Sequence, residues 1–325
     1  MNFSKIDEEL LLALDSFPEL DIWTDLEKTR SLGKKMRQKI IGQTLPVEGV
    51  QHADYVLPQD DTHDLVFRVY RPDSQIVPLP ALLWMHGGGY CLGAMENDDN
   101  IVRQFVKETG CIMVSVDYRL APEFPYPFAL NDCYAVLSWI ADHSEELAID
   151  RLRIAVGGVS AGAGLAASLA LYVRDHSDIK LAFQFLLCPM IDDRSVTSSL
   201  YQANDAKLWN RDSNLMGWKY YLGQEKNADG KAADNTPIYA AASRATDLGN
   251  LPPAYISVGT ADGFIDEDRD YAERLALHHV DVQLEIFVGG FHGFEFLVPA
   301  ATIAEDARNK HYAAIRKALF PAKSA

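Results

Sequence analysis

With 325 residues, of which 48% are hydrophobic and 23% charged, the chain has the balance of a globular protein with one large domain or two small ones. Its 30 basic and 46 acidic residues leave a formal charge of −16, which speaks against nucleic acid and anionic membrane surfaces as partners. Cys91, Cys111, Cys133 and Cys188 show no C-x-x-C pairing, so neither a disulfide framework nor a thiolate metal site is expected.

The N-terminus is acidic and its apolar run is too short for the core of a signal peptide. No stretch reaches the ~18 apolar residues of a membrane span. The expected compartment is therefore the cytoplasm. Residues 1–48 carry apolar side chains at helical spacing (Ile6, Leu10, Leu14, then Leu26, Leu32, Met36, Ile40) and read as two or three amphipathic helices broken near Pro18. Alternation at His52–Leu57 and Leu65–Tyr70 predicts an antiparallel pair. Ala81–Met85 is a buried strand that runs straight into His86-Gly87-Gly88-Gly89.

A helix over about Asp98–Thr109 leads to the strand Ile112–Val116, a proline-rich loop and a helix through Ala141. The next strand ends at Gly157-Gly158 and passes through Val159 and Ser160 into an Ala/Gly-rich helix. Leu181–Met190 is a further buried strand. From about Asp192 to Pro237 the chain turns polar and rich in Trp and Tyr, which reads as a helical insertion. Core pattern returns with the strand Ala254–Val258, a helix over about Asp266–His278, the strand Val282–Val288 and a closing helix near Ala300–Leu319. Apolar strands alternating with helices predict an α/β fold with a mostly parallel sheet covered on both faces.

Chemistry concentrates at three points. Gly158-Val159-Ser160-Ala161-Gly162 has the G-x-S-x-G spacing of a nucleophile elbow. A serine at such an apex has its flanking positions pressed together, and only small residues fit there. A serine hydroxyl is a weak nucleophile without a base, and the base needs an orienting carboxylate. Asp262 and His292 each stand four residues beyond the end of a later strand, in the order nucleophile, acid, base. Asp266 competes with Asp262 for the acid, and the helix start and loop length favour Asp262. The glycines after His86 let backbone amides approach a developing negative charge, so two loop amides and that of Ala161 make three donors. His86 itself reads as a brace for the loop.

In the order HGGG (86–89), DYRLAPE (117–123), YPFALND (126–132), GxSAG, the aspartate strand end and HGF (292–294), the chain resembles the bacterial hormone-sensitive-lipase-like carboxylesterases, or family IV esterases. The resemblance covers nearly the whole chain. It implies an α/β-hydrolase fold with a mostly parallel sheet of about eight strands and a helical cap. By the same resemblance Ser160 is the nucleophile, Asp262 the acid and His292 the base, and Gly88, Gly89 and Ala161 supply the oxyanion amides, supported by His86 and Gly87.

The cap is then residues 1–48 and 192–237, and the core 49–191 and 238–325. The implied activity is hydrolysis of short- to medium-chain acyl esters, with a small-molecule ester as partner, no cofactor and no metal. Alternatives are a deacetylase or amidase of small acylated metabolites, and a non-catalytic small-molecule receptor on the same fold. A homodimer formed through core edges is a further implication. The chain departs from the family pattern at Val159, which changes the hydrogen bonding beneath the elbow, and at Gly263, which loosens the loop of the acid.

Overall fold

The computed structural model describes residues 6–14, 16–17, 22–41, 47–60, 63–75, 77–203, 209–223 and 235–321. After the helices α1 (Glu8–Leu14) and α2 (Leu26–Ile41) come strands β1 (Val50–Asp60), β2 (His63–Pro72) and β3 (Leu79–Met85). The core continues with α3 (Asp99–Thr109), β4 (Ile112–Val116), α4 (Phe128–Asp142), β5 (Ile149–Val159), α5 (Ala161–His176) and β6 (Leu181–Leu187). Two helices follow, α6 (Ser198–Gln202) and α7 (Arg211–Tyr221). The chain ends with β7 (Ala254–Gly259), α8 (Ile265–Leu277), β8 (Val282–Phe287), α9 (Phe294–Leu297) and α10 (Thr302–Leu319). The expected break near Pro18 and parts of the 192–237 insertion lie outside the described residues.

The eight strands form one sheet in the order β1-β2-β4-β3-β5-β6-β7-β8. β2 pairs antiparallel with β1 and with β4, and every other neighbouring pair is parallel. Because side chains alternate across a strand, each strand feeds two cores. Leu83, Met85, Ile154 and Val156 meet α4, α5 and α8 on one face. Leu82, Trp84 and Ala155 meet α3 and α10 on the other. Central strands sandwiched in this way read as continuous apolar runs, which is why their positions were legible.

The structure shortens two expected strands, β8 by one residue and β6 by three. β6 stops at Leu187 because Cys188 turns to φ 37° and Pro189 has no amide to continue the ladder. One turn of helix, α9, was not expected after His292. Among the described residues no helix is long and apolar enough to cross a membrane.

Candidate active site

The parallel register brings the ends of five strands level. Met85 of β3 sits beside Gly158 of β5, Gly158 beside Leu186 of β6, Leu187 beside Ser257 of β7, and Gly259 beside Phe287 of β8. The loops leaving these ends therefore converge at one edge of the sheet, where ligands of open α/β folds collect.

Ser160 stands there at φ 56°, ψ −121°, a strained conformation for a residue with a Cβ. It is held by hydrogen bonds from its amide to the Leu187 carbonyl (2.8 Å) and to its own carbonyl from the amides of Gly164 and Met190 (both 3.0 Å). The glycine spacing has its predicted steric cause. A methyl group on Gly158 would fall 2.6 Å from the carbonyl carbon of Gly162, and one on Gly162 would fall 2.5 Å from the His86 carbonyl oxygen.

His292 and Asp262, 132 and 30 residues from their respective partners, complete a chain of hydrogen bonds. His292 Nδ1 donates to Asp262 Oδ2 at 2.8 Å, which leaves Nε2 to accept from Ser160 Oγ at 2.9 Å. The other oxygen of Asp262 accepts from the Phe264 amide at 3.0 Å. The Phe264 ring stands edge-on to the imidazole with centroids 5.0 Å apart, and so fixes its plane. All three side chains are buried or nearly so, the imidazole keeping 15% exposure. Burial by itself disfavours the imidazolium, but the Asp262 carboxylate, its hydrogen bond and Glu295 outweigh burial and raise the pKa of His292.

Asp266, the competing acid, is placed elsewhere. Its carboxylate accepts from the Ser199 amide at the start of α6 (2.8 Å). The expected loosening at Gly263 is not found. The Gly263 carbonyl accepts from Ser199 Oγ (2.7 Å), and a Cβ there would press to 3.0 Å against Ala203. The acid loop is thus stitched to α6.

The glycine loop lies against the nucleophile: a methyl on Gly87 would come 3.5 Å from the Ser160 Cβ. Gly88 and Gly89 take φ 127° and 59°, which glycine adopts freely. Among the described residues, the amides of Gly88, Gly89 and Ala161 donate to no protein group. His86 packs beside this loop. Its ring stacks on Tyr118 with centroids 4.2 Å apart, its Nδ1 donates to the Gly87 carbonyl (2.8 Å), and its own carbonyl accepts from the Tyr118 hydroxyl (2.7 Å).

Two residues at this edge carry no sequence signal for it. The thiol of Cys188, a carboxylate oxygen of Asp262 and a ring nitrogen of His292 lie within 4.8 Å of one another. Burial holds that thiol well above its ordinary pKa, so it is a neutral wall. Glu267, wholly inside, accepts from the Ile191 amide (3.1 Å) and anchors the chain beyond β6.

Residues 82–296 match the model of the alpha/beta hydrolase fold family. The chain is 34% identical over 323 residues to carboxylesterase NlhH of Mycobacterium tuberculosis, covering 97% of this chain and 96% of that one. It is 30% identical over 277 residues to an arylesterase of Saccharolobus solfataricus, covering 83% and 86%. Among solved structures a bacterial heroin esterase superposes with TM-score 0.91 at 40% identity, over 98% of this chain and 99% of its own. With its sheet order, its serine elbow and these relatives together, the chain belongs to the alpha/beta hydrolase fold family and, within it, to the hormone-sensitive-lipase-like carboxylesterases.

Proposed function

We propose that this carboxylic ester hydrolase cleaves short- to medium-chain acyl esters through an acyl-serine intermediate. The observation that carries the reading is the unbroken chain from Ser160 Oγ through His292 to Asp262. It lies beside three amides that have no protein partner among the described residues. Ser160 Oγ bonds to the ester carbonyl carbon while His292 Nε2 takes its proton. Asp262 holds the tautomer that makes this possible and steadies the imidazolium. The amides of Gly88, Gly89 and Ala161 receive the oxyanion, with His86 and Gly87 holding the loop in shape. His292 returns the proton to the leaving alcohol. A water deprotonated by the same nitrogen then attacks the acyl carbon, the acyl–Oγ bond breaks, and the proton returns from His292 to Ser160 Oγ as the acid leaves.

Residues 1–48 and 192–237 act as a cap that encloses the acyl group. In support, Trp23, Trp209 and Tyr220 form one aromatic group from both segments. All four cysteines are free and buried, which supports a reducing compartment, the cytoplasm. Pairing of two copies remains an implication of the family, read by sedimentation.

The test is initial rates on p-nitrophenyl esters of rising acyl length, for the wild type and for Ser160→Ala. Fast turnover of acetate to hexanoate esters that disappears in Ser160→Ala is expected. Turnover that survives the substitution, or a preference for emulsified long-chain triglycerides, overturns the assignment.

A further inference from the structure

Trp209 belongs to the polar insertion, yet its indole rests directly on the glycine loop. A methyl group built on Gly89 would lie 2.5 Å from Cζ2 and 2.9 Å from Cζ3 of Trp209, with Cη2 nearer still. The six-membered ring therefore occupies the space that any side chain at position 89 would fill. The indole is fixed from three sides. Its Nε1 donates to Asn214 Oδ1 (3.2 Å), and the fully buried Asn214 donates in turn to Ser195 Oγ (2.8 Å). Trp23 meets it edge-on at 5.8 Å, and Trp23 Nε1 donates to Ser213 Oγ (3.1 Å). Gly217 of α7 lets the helix close on both, since a methyl there would be 3.0 Å from the Gly89 carbonyl oxygen and 3.1 Å from Trp209 Cζ2.

We infer that Trp209 is a positioning and specificity residue: it holds Gly89 in register as an oxyanion donor and bounds the substrate group that lies beside that glycine. The inference rests on the esterase reading above and extends it. The left-handed backbone at Gly89 is soft by itself, because glycine has no Cβ to restrict it. A rigid indole in van der Waals contact removes that freedom, so the amide is aimed before the substrate arrives. The same ring is a wall. Removing it opens room for several methylenes beside the scissile carbonyl, each worth about fourfold in binding when it is buried.

The experiment compares wild type, Trp209→Ala, Trp209→Phe, Gly89→Ala and the double variant Gly89→Ala/Trp209→Ala. Values of kcat and KM are measured separately for p-nitrophenyl acetate, butyrate and hexanoate and for methyl to hexyl acetates. Trp209→Ala is expected to raise the long-to-short ratio of kcat/KM by about tenfold in one of the two series, with Trp209→Phe between. It also lowers kcat on the shortest esters, where the extra room binds nothing. Gly89→Ala is expected to lose about a hundredfold in kcat, because its methyl meets the indole and the left-handed backbone there strains any Cβ. Adding Trp209→Ala restores at least tenfold of that loss.

Ratios that stay within twofold in both series, together with losses that simply multiply in the double variant, overturn the inference. Melting temperatures of the same proteins read the contact without turnover. Relief of the Gly89→Ala loss by Trp209→Ala supports the contact, and additive losses refute it. If the wild type hydrolyses no ester while the melting temperatures couple, the esterase reading falls and the contact stands.

Discussion

Replacing Gly162 by alanine tests whether the packing beneath the elbow, and not the serine alone, sets activity. The new methyl would meet the His86 carbonyl oxygen and the Met85 carbonyl carbon at 2.5 Å, with the Met85 oxygen closer. An ordinary contact of this kind is about 3.4 Å, so the two backbones must part by about 1 Å. Met85 closes β3 and His86 follows it, leading directly into Gly87, Gly88 and Gly89. The parting therefore moves the amides of Gly88 and Gly89, the proposed oxyanion donors, away from Ser160. A displacement of that size in a reacting group costs about a hundredfold in rate.

Overpacking costs about 1–3 kcal/mol of stability. Alanine's better helix propensity at the start of α5 returns at most about 1 kcal/mol. The net expectation is a loss of about 1–2 kcal/mol with a loss of about a hundredfold in kcat and little change in KM. Gly249→Ala, whose methyl would meet only the exposed Asp247 carboxylate at 3.2 Å, serves as the control and should leave both unchanged. Denaturant melts and steady-state rates on a p-nitrophenyl ester read the two numbers. A folded Gly162→Ala enzyme with wild-type kcat would refute the claim that β3 and the elbow are held in register by this glycine.

Asp262→Asn should lower kcat by about 10⁴ with KM held, because an amide facing Nδ1 stabilises the wrong imidazole tautomer; a raised KM with kcat intact argues against an orienting role. The acid limb of the kcat/KM profile should fall above the ordinary imidazole value of 6.5, since Asp262 and Glu295 favour the charged ring and only the neutral ring can accept the serine proton. The same shift means that His292 contributes stability that is fully present below 6.5 and is lost as pH rises through its higher folded value. A limb below 6.5 contradicts the electrostatic account.

Asp98 presents the opposite case. Burial lifts its pKa from 3.8 to about 6 despite the hydrogen bond from Trp84 Nε1 (2.8 Å). The stability of the protonated form is fully present below about 3.8 and is lost, by up to about 3 kcal/mol, as pH rises from 3.8 to about 6. The stability of Asp98→Asn relative to wild type should improve by that order between about pH 4 and pH 8, as read by urea melts at the two values. A difference that does not change with pH would refute the buried, strained carboxylate.

Much of the site was legible because its demands are local. A serine held at positive φ between a buried strand and a buried helix needs small residues two places away on both sides, so Gly158 and Gly162 stand in the sequence at fixed offsets from Ser160. The same holds for the glycines after β3, whose left-handed conformations few other residues accept. Apolar runs fixed the central strands because both their faces are buried. What the tertiary structure decided is which distant groups meet. The order β3-β5-β6-β7-β8 sets the loops of Gly87, Ser160, Asp262 and His292 side by side, and no short-range pattern encodes a neighbour 132 residues away.

Such contacts separate the environments of Asp262 and Asp266. One carboxylate faces His292, and the other is drawn off to the amide of Ser199. Gly263 looked permissive as a residue type, but α6 packs against it and ties its carbonyl. Trp209 read only as one aromatic among several in a polar stretch; folding laid it on Gly89. Backbone sterics act between adjacent residues and leave their mark in the sequence, whereas burial and hydrogen-bond partners are assigned only when the sheet assembles.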